Sequence, residues 1–265
     1  MLKSITLRGH SFTYREEGAG PALVLLPGWN EDHRMYKFMV ESLAMNYRVL
    51  ALAWRGHGER RAFDKDFNVD DMAEDVCAFV DALQIPQASF VSFSHGGWIS
   101  LAAGEKLGIG RVPRFVLISW RVTAPGDVLL RWCREWQDAD KWEAARTGFF
   151  DYALGTSTDP NIKHHINDEM KSFGASYWAR TGREIAAGYA TWGTPLDRIG
   201  GLREQRPVAH IYTLPHDSAY DQVQQDFARS HPWYKPYRLP GETHFPLIES
   251  PAAVSRFIHE FVSQN

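Results

Sequence analysis

The chain has 265 residues, which is long enough for one large α/β domain with a substantial core. Its net charge is −3 with acidic and basic residues interspersed, which argues against a nucleic-acid or membrane surface, and Cys77 and Cys133 lack metal-ligand spacing or a disulfide framework. The N-terminus shows no apolar signal region and no apolar run reaches about eighteen residues, so we expect a cytoplasmic protein.

The first half of the chain alternates predicted strands and helices. Alternating or continuous apolar runs predict strands at residues 5–7, 12–14, 22–26, 49–53, 88–91 and 115–118. Apolar residues at helical spacing predict helices at residues 32–45, 70–83 and 98–107. A β-α-β-α order of this kind dictates a mostly parallel sheet with right-handed crossovers.

Residues 122–195 have a different character. They contain no strand-like run, are rich in Trp and Arg, and are interrupted by Gly155 and Gly174. We interpret them as an inserted helical cap, with residues 1–121 and 196–265 forming the core. After the cap, strands are predicted at 208–213 and 237–239, and helices at 220–229 and 251–262.

A small-x-Ser-x-Gly segment, Ser92 to Gly96, lies between a predicted strand and a predicted helix. This pattern is typical of a nucleophile elbow, in which a sharp turn projects the serine hydroxyl out of the sheet. The neighbours two residues before and after Ser94 must be small, and Ser92 and Gly96 are small. Backbone N–H groups at the start of the helix would point toward the same space.

Two further segments complete the pattern of an α/β-hydrolase fold. The loop after the third strand, which ends in Trp29, fits the position that helps to form an oxyanion hole. His244 follows the last predicted strand, where this fold places its histidine. We therefore predict an α/β-hydrolase fold, with a mostly parallel eight-stranded sheet and an inserted helical cap. His57 is assigned a structural role in its loop, and His164 and His165 are expected to face solvent or pack within the cap.

The acid that usually orients the histidine is missing from the expected place. Ser119 follows the sixth strand and cannot provide a negative charge. Asp217 follows the seventh strand and could reach His244, and Asp221 is the next candidate. The sequence leaves open which of them, if either, is the partner.

Several segments resemble the cofactor-independent 3-hydroxy-4(1H)-quinolone 2,4-dioxygenases, and the likeness runs nearly end to end. They include a Trp-Gly-x-Pro and a His-x-Trp motif and lie at residues 29–34, 54–58, 94–98, 192–195, 231–233 and 243–246. The resemblance implies an α/β-hydrolase fold that opens the pyridone ring with O₂ and releases carbon monoxide and an N-acylanthranilate. It implies a small quinolone and O₂ as partners, with no metal or organic cofactor.

The resemblance also implies roles for individual residues. His244 matches the general base that takes the proton of the substrate 3-hydroxyl, and Ser94 matches a serine that hydrogen-bonds the substrate. Trp29 and His95 would supply backbone N–H groups near the developing oxyanion. Trp178 matches a cap tryptophan that walls the ring pocket. The alternative for Trp178 is an ordinary aromatic of the cap core.

Three positions depart from the resemblance. Family members carry Asp where this chain has Ser119, and one branch carries His where it has Glu31. Phe93 replaces a polar residue, which makes the predicted pocket more apolar. With an aromatic cap, this favours a substrate with an alkyl tail at C2, and the heptyl quinolone signal is the first candidate.

Two other functions remain open from the sequence. An ordinary serine hydrolase, either an esterase or a C–C hydrolase, would use Ser94, His244 and Asp217 as a covalent triad. A catalytically silent ligand-binding protein is the other, because fold does not fix function. We expect a monomer or a weak homodimer.

Overall fold

The computed structural model describes residues 1–58, 63 and 65–264. Its eight strands form one sheet in the order β1-β2-β4-β3-β5-β6-β7-β8. The strands are β1 (Leu2–Leu7), β2 (His10–Glu17), β3 (Ala22–Leu26), β4 (Arg48–Leu52), β5 (Ala88–Phe93), β6 (Phe115–Ile118), β7 (Val208–Tyr212) and β8 (Tyr234–Arg238). Only the pairs that involve β2 are antiparallel, which confirms the mostly parallel sheet of the α/β-hydrolase fold.

Eleven α-helices are found among the described residues. They are α1 (Val40–Ala44), α2 (Val69–Ala82), α3 (Gly96–Leu107), α4 (Asp127–Glu135), α5 (Trp142–Leu154), α6 (Pro160–His164), α7 (Ala175–Trp192), α8 (Pro195–Gly200), α9 (Ser218–Ser230), α10 (Pro246–Glu249) and α11 (Pro251–Val262). A π-helical turn (His165–Glu169) and a 3-10 turn (Met170–Ser172) continue α6. None of the helices in the described segments combines the length and apolarity that a bilayer crossing needs.

The four central parallel strands form the buried centre of the core. Every residue of β3, β5, β6 and β7 is buried, since helices cover both faces of the sheet. This explains why these strands are continuous apolar runs rather than alternating ones. Because they run parallel, their carboxyl ends meet at one edge, and the loops that follow β3, β5 and β6 gather there.

The segment between β6 and β7 folds into α4–α8, and its described residues contain no strand. Helix α5 is hydrogen-bonded to the loop that precedes α10. The Ala153 carbonyl accepts the His244 N–H at 2.9 Å. Gly155 has a φ of 57°, and a Cβ there would lie 2.1 Å from the Glu242 carbonyl oxygen, so this close approach requires glycine. The division into a core and a cap at residues 122 and 195 stays a prediction.

Several predicted elements differ from the structure in their bounds, since β1 and β2 also extend beyond the predicted 5–7 and 12–14. Two of the differences have a local cause. The helix predicted at 32–45 is split into a 3-10 turn (His33–Tyr36) and α1, because the Asp32 side chain accepts the Arg34 N–H and starts a separate turn. The strand predicted at 237–239 is β8, which begins three residues earlier. Pro236 obscured its start, and proline is tolerated there because β8 pairs only with β7 at the sheet edge.

Candidate active site

Ser94 occupies a strained turn between β5 and α3. Its φ is 50°, a left-handed conformation that a residue with a side chain seldom adopts. The Ser94 N–H donates to the Ile118 carbonyl at 2.7 Å, which ties the turn to β6. A Cβ at Gly96 would lie 2.2 Å from the Pro27 carbonyl oxygen, so only glycine fits two residues after the serine. The turn places Ser94 in the wall of a cavity at the carboxyl edge of the sheet.

His244 faces Ser94 across this cavity. Its Nε2 lies 3.2 Å from the Ser94 Oγ, and its ring packs 5.0 Å from the Phe93 ring, centroid to centroid. Burial in these surroundings lowers the pKa of His244 to about 4. The imidazole is therefore neutral at pH 7 and can accept a proton.

No carboxylate lies within hydrogen-bonding distance of His244 in the part of the chain that the structure describes. Asp217 accepts the Ala219 N–H and caps α9, and Asp221 accepts the Tyr212 hydroxyl and pairs with Arg238 at 2.7 Å. The structure thus brings neither candidate acid to the histidine, and the Ser94/His244/Asp217 triad is not assembled. Ser119 lines the same cavity; its buried Oγ has no hydrogen-bond partner among the described residues.

Two residues on different loops line the same cavity and have backbone N–H groups available to a ligand. Trp29 and His95 both line it, and neither N–H donates to another described residue. Gly28, by contrast, donates its N–H to Glu31 Oε2 at 2.9 Å. Burial and the neighbouring His244 lower the pKa of His95 to about 3, so this ring is neutral as well. The two N–H groups could stabilise negative charge that develops on an oxygen.

The cavity has a volume of about 380 Å³, and the wall formed by the segment between β6 and β7 is aromatic. Trp178 is buried in this wall, with its ring 5.1 Å from that of Trp136. The other aromatic cap residues of the wall, which the sequence analysis missed, are Trp132, Trp136, Phe149 and Tyr152. The first two are four residues apart, on α4 and its C-cap, and the last two are three apart on α5. This spacing was an available signal, since it places each pair on one helix face.

A second histidine, His165, lies in a buried chain of charged groups that the sequence did not predict. Its Nδ1 lies 2.6 Å from Glu169 Oε2 and its Nε2 lies 3.4 Å from Glu31 Oε1. Glu169 also pairs with Lys37 at 2.8 Å. The chain joins the cap to the loop of Gly28 and Trp29, and Glu31 lines the catalytic cavity.

The pKa shifts in this chain have opposing causes. Burial alone would lower the pKa of His165, but its hydrogen bonds to Glu169 and Glu31 raise it. Burial tends to raise the pKa of Glu169, but His165 and Lys37 lower it to about 2. Burial raises the pKa of Glu31. His164, the neighbour of His165, has a side chain 57% exposed to solvent.

Neither His57 nor a cluster of metal-binding side chains forms a second site among the described residues. The His57 Nδ1 lies 2.9 Å from the Arg55 carbonyl oxygen, which agrees with a structural role in its loop. Among the residues that the structure describes, no group of three or more His, Cys, Asp or Glu side chains is placed to hold a metal ion.

Known proteins that resemble this chain share its fold and much of its sequence. A profile of the alpha/beta hydrolase family matches residues 23–257. A 1H-3-hydroxy-4-oxoquinoline 2,4-dioxygenase from Pseudomonas putida is 38% identical over 98% of this chain and 99% of its own length. The chain belongs to the 3-hydroxy-4-quinolone 2,4-dioxygenase family.

Further members of this dioxygenase family match over the whole chain. A 2-heptyl-3-hydroxy-4-quinolone dioxygenase from Rhodococcus erythropolis is 36% identical over 100% of both chains. The solved structure of a 1H-3-hydroxy-4-oxoquinoline 2,4-dioxygenase superposes with a TM-score of 0.96 at 37% identity, covering 98% of this chain and 100% of the other. A second structure, a quinolone-signal-cleaving variant in complex with its substrate, also has a TM-score of 0.96, at 33% identity and 99% coverage of both.

Proposed function

We propose that this enzyme cleaves the ring of 2-alkyl-3-hydroxy-4(1H)-quinolones with O₂ to give an N-acylanthranilate and carbon monoxide. The observation that carries this proposal is the likeness, over the full chain, to relatives named for that activity. The cavity agrees with it, since about 380 Å³ of largely apolar space suits a drug-sized bicyclic ligand.

The reaction begins with a proton transfer to His244. The neutral imidazole takes the proton of the substrate 3-hydroxyl, as a base with a low pKa in the free enzyme can do when the resulting imidazolium is paired with the substrate anion. The Ser94 hydroxyl, 3.2 Å from Nε2, donates to a substrate oxygen and forms no covalent bond. The variants His244→Ala and Ser94→Ala test these two roles.

The substrate anion then supplies the electrons for the oxygen chemistry. It reacts with O₂ to form a peroxide at C2, and the distal peroxide oxygen attacks C4. The bicyclic intermediate collapses, both oxygen atoms remain in the acylanthranilate, and C3 leaves with its own oxygen as carbon monoxide. The N–H groups of Trp29 and His95 face the oxygen that becomes negative at C4. In this scheme neither a metal nor an organic cofactor takes part.

The cavity also favours an alkyl tail at C2. Phe93 and the aromatic side chains of α4 and α5 offer apolar surface, and each buried CH₂ contributes about 0.8 kcal/mol. A heptyl tail therefore gains more than a methyl group. We propose the heptyl quinolone as the preferred substrate.

A serine hydrolase is the second candidate. The short Ser94–His244 distance and the two available N–H groups are features that a hydrolase shares. The absence of an acid beside His244 in the described structure weighs against it. Stoichiometric labelling of Ser94 by an organophosphonate would support the hydrolase, and an unlabelled protein would exclude it.

The direct test uses purified protein freed of metal with a chelator. It is given 2-methyl- and 2-heptyl-3-hydroxy-4(1H)-quinolone in aerated buffer, and O₂ uptake and carbon monoxide are followed together. We expect equal amounts of O₂ consumed and carbon monoxide released, with a higher kcat/KM for the heptyl compound. Intact quinolone after prolonged incubation would refute the proposal, and tight binding without O₂ uptake would identify a silent binder.

A further inference from the structure

A second cavity, of about 140 Å³, lies in the cap between α5 and the segment formed by α6 and the turns that follow it. Helix α5 contributes to both cavities with different faces. Phe149 and Tyr152 line the catalytic cavity, whereas Arg146 and Asp151 line the second one. The two cavities share no lining residue.

Arg146 is the unusual residue of this cavity. It is only 8% exposed, and its guanidinium carbon lies 4.8 Å from the Trp142 ring centroid and 5.8 Å from that of Phe150. Within the described residues it has no carboxylate at ion-pair distance, and its Nε has no hydrogen-bond partner. Aromatic faces stabilise a cation only in part, and a buried charge without a counter-charge is costly. The guanidinium therefore lacks a balancing anion.

The other charged groups of the cavity leave this imbalance in place. Lys163 on α6 and Lys171 on the 3-10 turn line it from the opposite side, and neither forms an ion pair with a described residue. Asp151 is the one acidic side chain among the lining residues that the structure describes, so three cations and one carboxylate give a formal charge of +2. Asn167 adds an amide donor. A dianion with several acceptor oxygens matches this set better than a monocarboxylate does.

We propose that this cap cavity binds a phosphoryl group, either as inorganic phosphate or as the terminal group of a phosphomonoester. The planar guanidinium of Arg146, held between two aromatic rings, donates to two phosphoryl oxygens. The two lysines balance the remaining charge from the solvent side. The site is separate from Ser94 and His244, so occupancy does not require the quinolone.

Calorimetric titration of the full-length protein with inorganic phosphate tests this site, in buffer whose ionic strength is matched with sodium chloride. We expect saturable binding and an increase in Tm. Arg146→Met should weaken binding about tenfold or more, as expected for loss of a charged hydrogen-bond donor pair. The double variant Lys163→Gln/Lys171→Gln changes only exposed side chains and should weaken it several-fold. Arg131→Gln, at an arginine 56% exposed on α4 and outside the cavity, is the matched control and should bind normally.

Glycerol phosphate and acetate form the other arms of the titration. Tighter binding of glycerol phosphate than of inorganic phosphate would identify a phosphomonoester as the ligand, and the reverse would identify free phosphate. Acetate should not compete. The proposal is overturned if the wild-type protein shows no saturable phosphate binding, or if both cavity variants bind as well as Arg131→Gln. No quinolone is present, so this outcome is independent of the ring-cleavage proposal.

Discussion

His244 and His165 are two imidazoles near the same cavity with opposite electrostatic surroundings. His244 has a serine hydroxyl at 3.2 Å and no carboxylate partner among the described residues, and burial lowers its pKa to about 4. His165 lies between Glu169 and Glu31, and these carboxylates raise its pKa despite burial. Burial acts on both rings, and the two carboxyl neighbours of His165 reverse its effect on the pKa of that ring.

Because their surroundings differ, we expect the two histidines to have different roles. A neutral His244 can accept a proton from a substrate. His165 is hydrogen-bonded to two buried carboxyl groups, Glu169 and Glu31, and so connects the cap with the loop of Trp29. Carboxyl groups thus lie beside His165, and none of the described residues places one beside His244.

The largest effect is expected from removing the base. His244→Ala should lower kcat for quinolone cleavage by about 10²–10⁴-fold, the range typical of lost general-base catalysis. Ser94→Ala should keep substantial ring cleavage, because in the proposed reaction the serine contributes only a hydrogen bond. Steady-state O₂ consumption measures both variants. Equal losses in the two would contradict the separate roles.

Removing the structural histidine should affect stability. His165→Ala removes the buried hydrogen-bond partner of Glu31, whereas Glu169 keeps its pair with Lys37, and this should lower the free energy of unfolding by about 1–3 kcal/mol. His164→Ala is the matched control, and at an exposed side chain it should change this free energy by about 0.5 kcal/mol or less. Urea unfolding compares them, and similar midpoints would argue against the buried chain.

A carboxylate introduced next to His244 should raise the pKa of that ring, as Glu169 and Glu31 raise the pKa of His165. Ser119 has a φ of 49° and lines the cavity, and aspartate tolerates that backbone conformation. Ser119→Asp should raise the pKa of His244 by about 1–3 units and move the acid limb of the kcat/KM profile upward by the same amount. Ser119→Asn has the same shape without the charge and should leave the limb in place. Identical profiles for both would contradict the expectation.

The smallest effect concerns the unmodified enzyme. Its kcat/KM should stay nearly constant as the pH falls from 7 to about 5 and decline only near pH 4, because His244 acts in its neutral form and its pKa is lowered to about 4. Stability should change in a different range. The raised pKa of His165 means that its contribution is fully present below about pH 6.5 and is lost as the pH rises through the folded-state pKa. Rate and unfolding profiles measured side by side would separate the two histidines.

The sequence predicted those features that depend on local pattern. The strands β3 and β6 were predicted with correct bounds because burial on both faces leaves an uninterrupted apolar run. The turn at Ser94 followed from small residues at fixed offsets. The contact of Glu31 with His165 joins residues 134 positions apart, and the unpaired state of Arg146 depends on which side chains fail to reach it. Such properties arise only when the cap is packed on the core.

The hydrogen bond from the His244 amide to the Ala153 carbonyl couples the base to the cap helix α5. A ligand that displaces α5 on its way to Ser94 would also displace the imidazole from its position opposite the serine. The position of α5 and the 3.2 Å separation of Nε2 from the Ser94 Oγ are therefore linked, and a substitution that shifts this helix would alter that separation without touching either side chain.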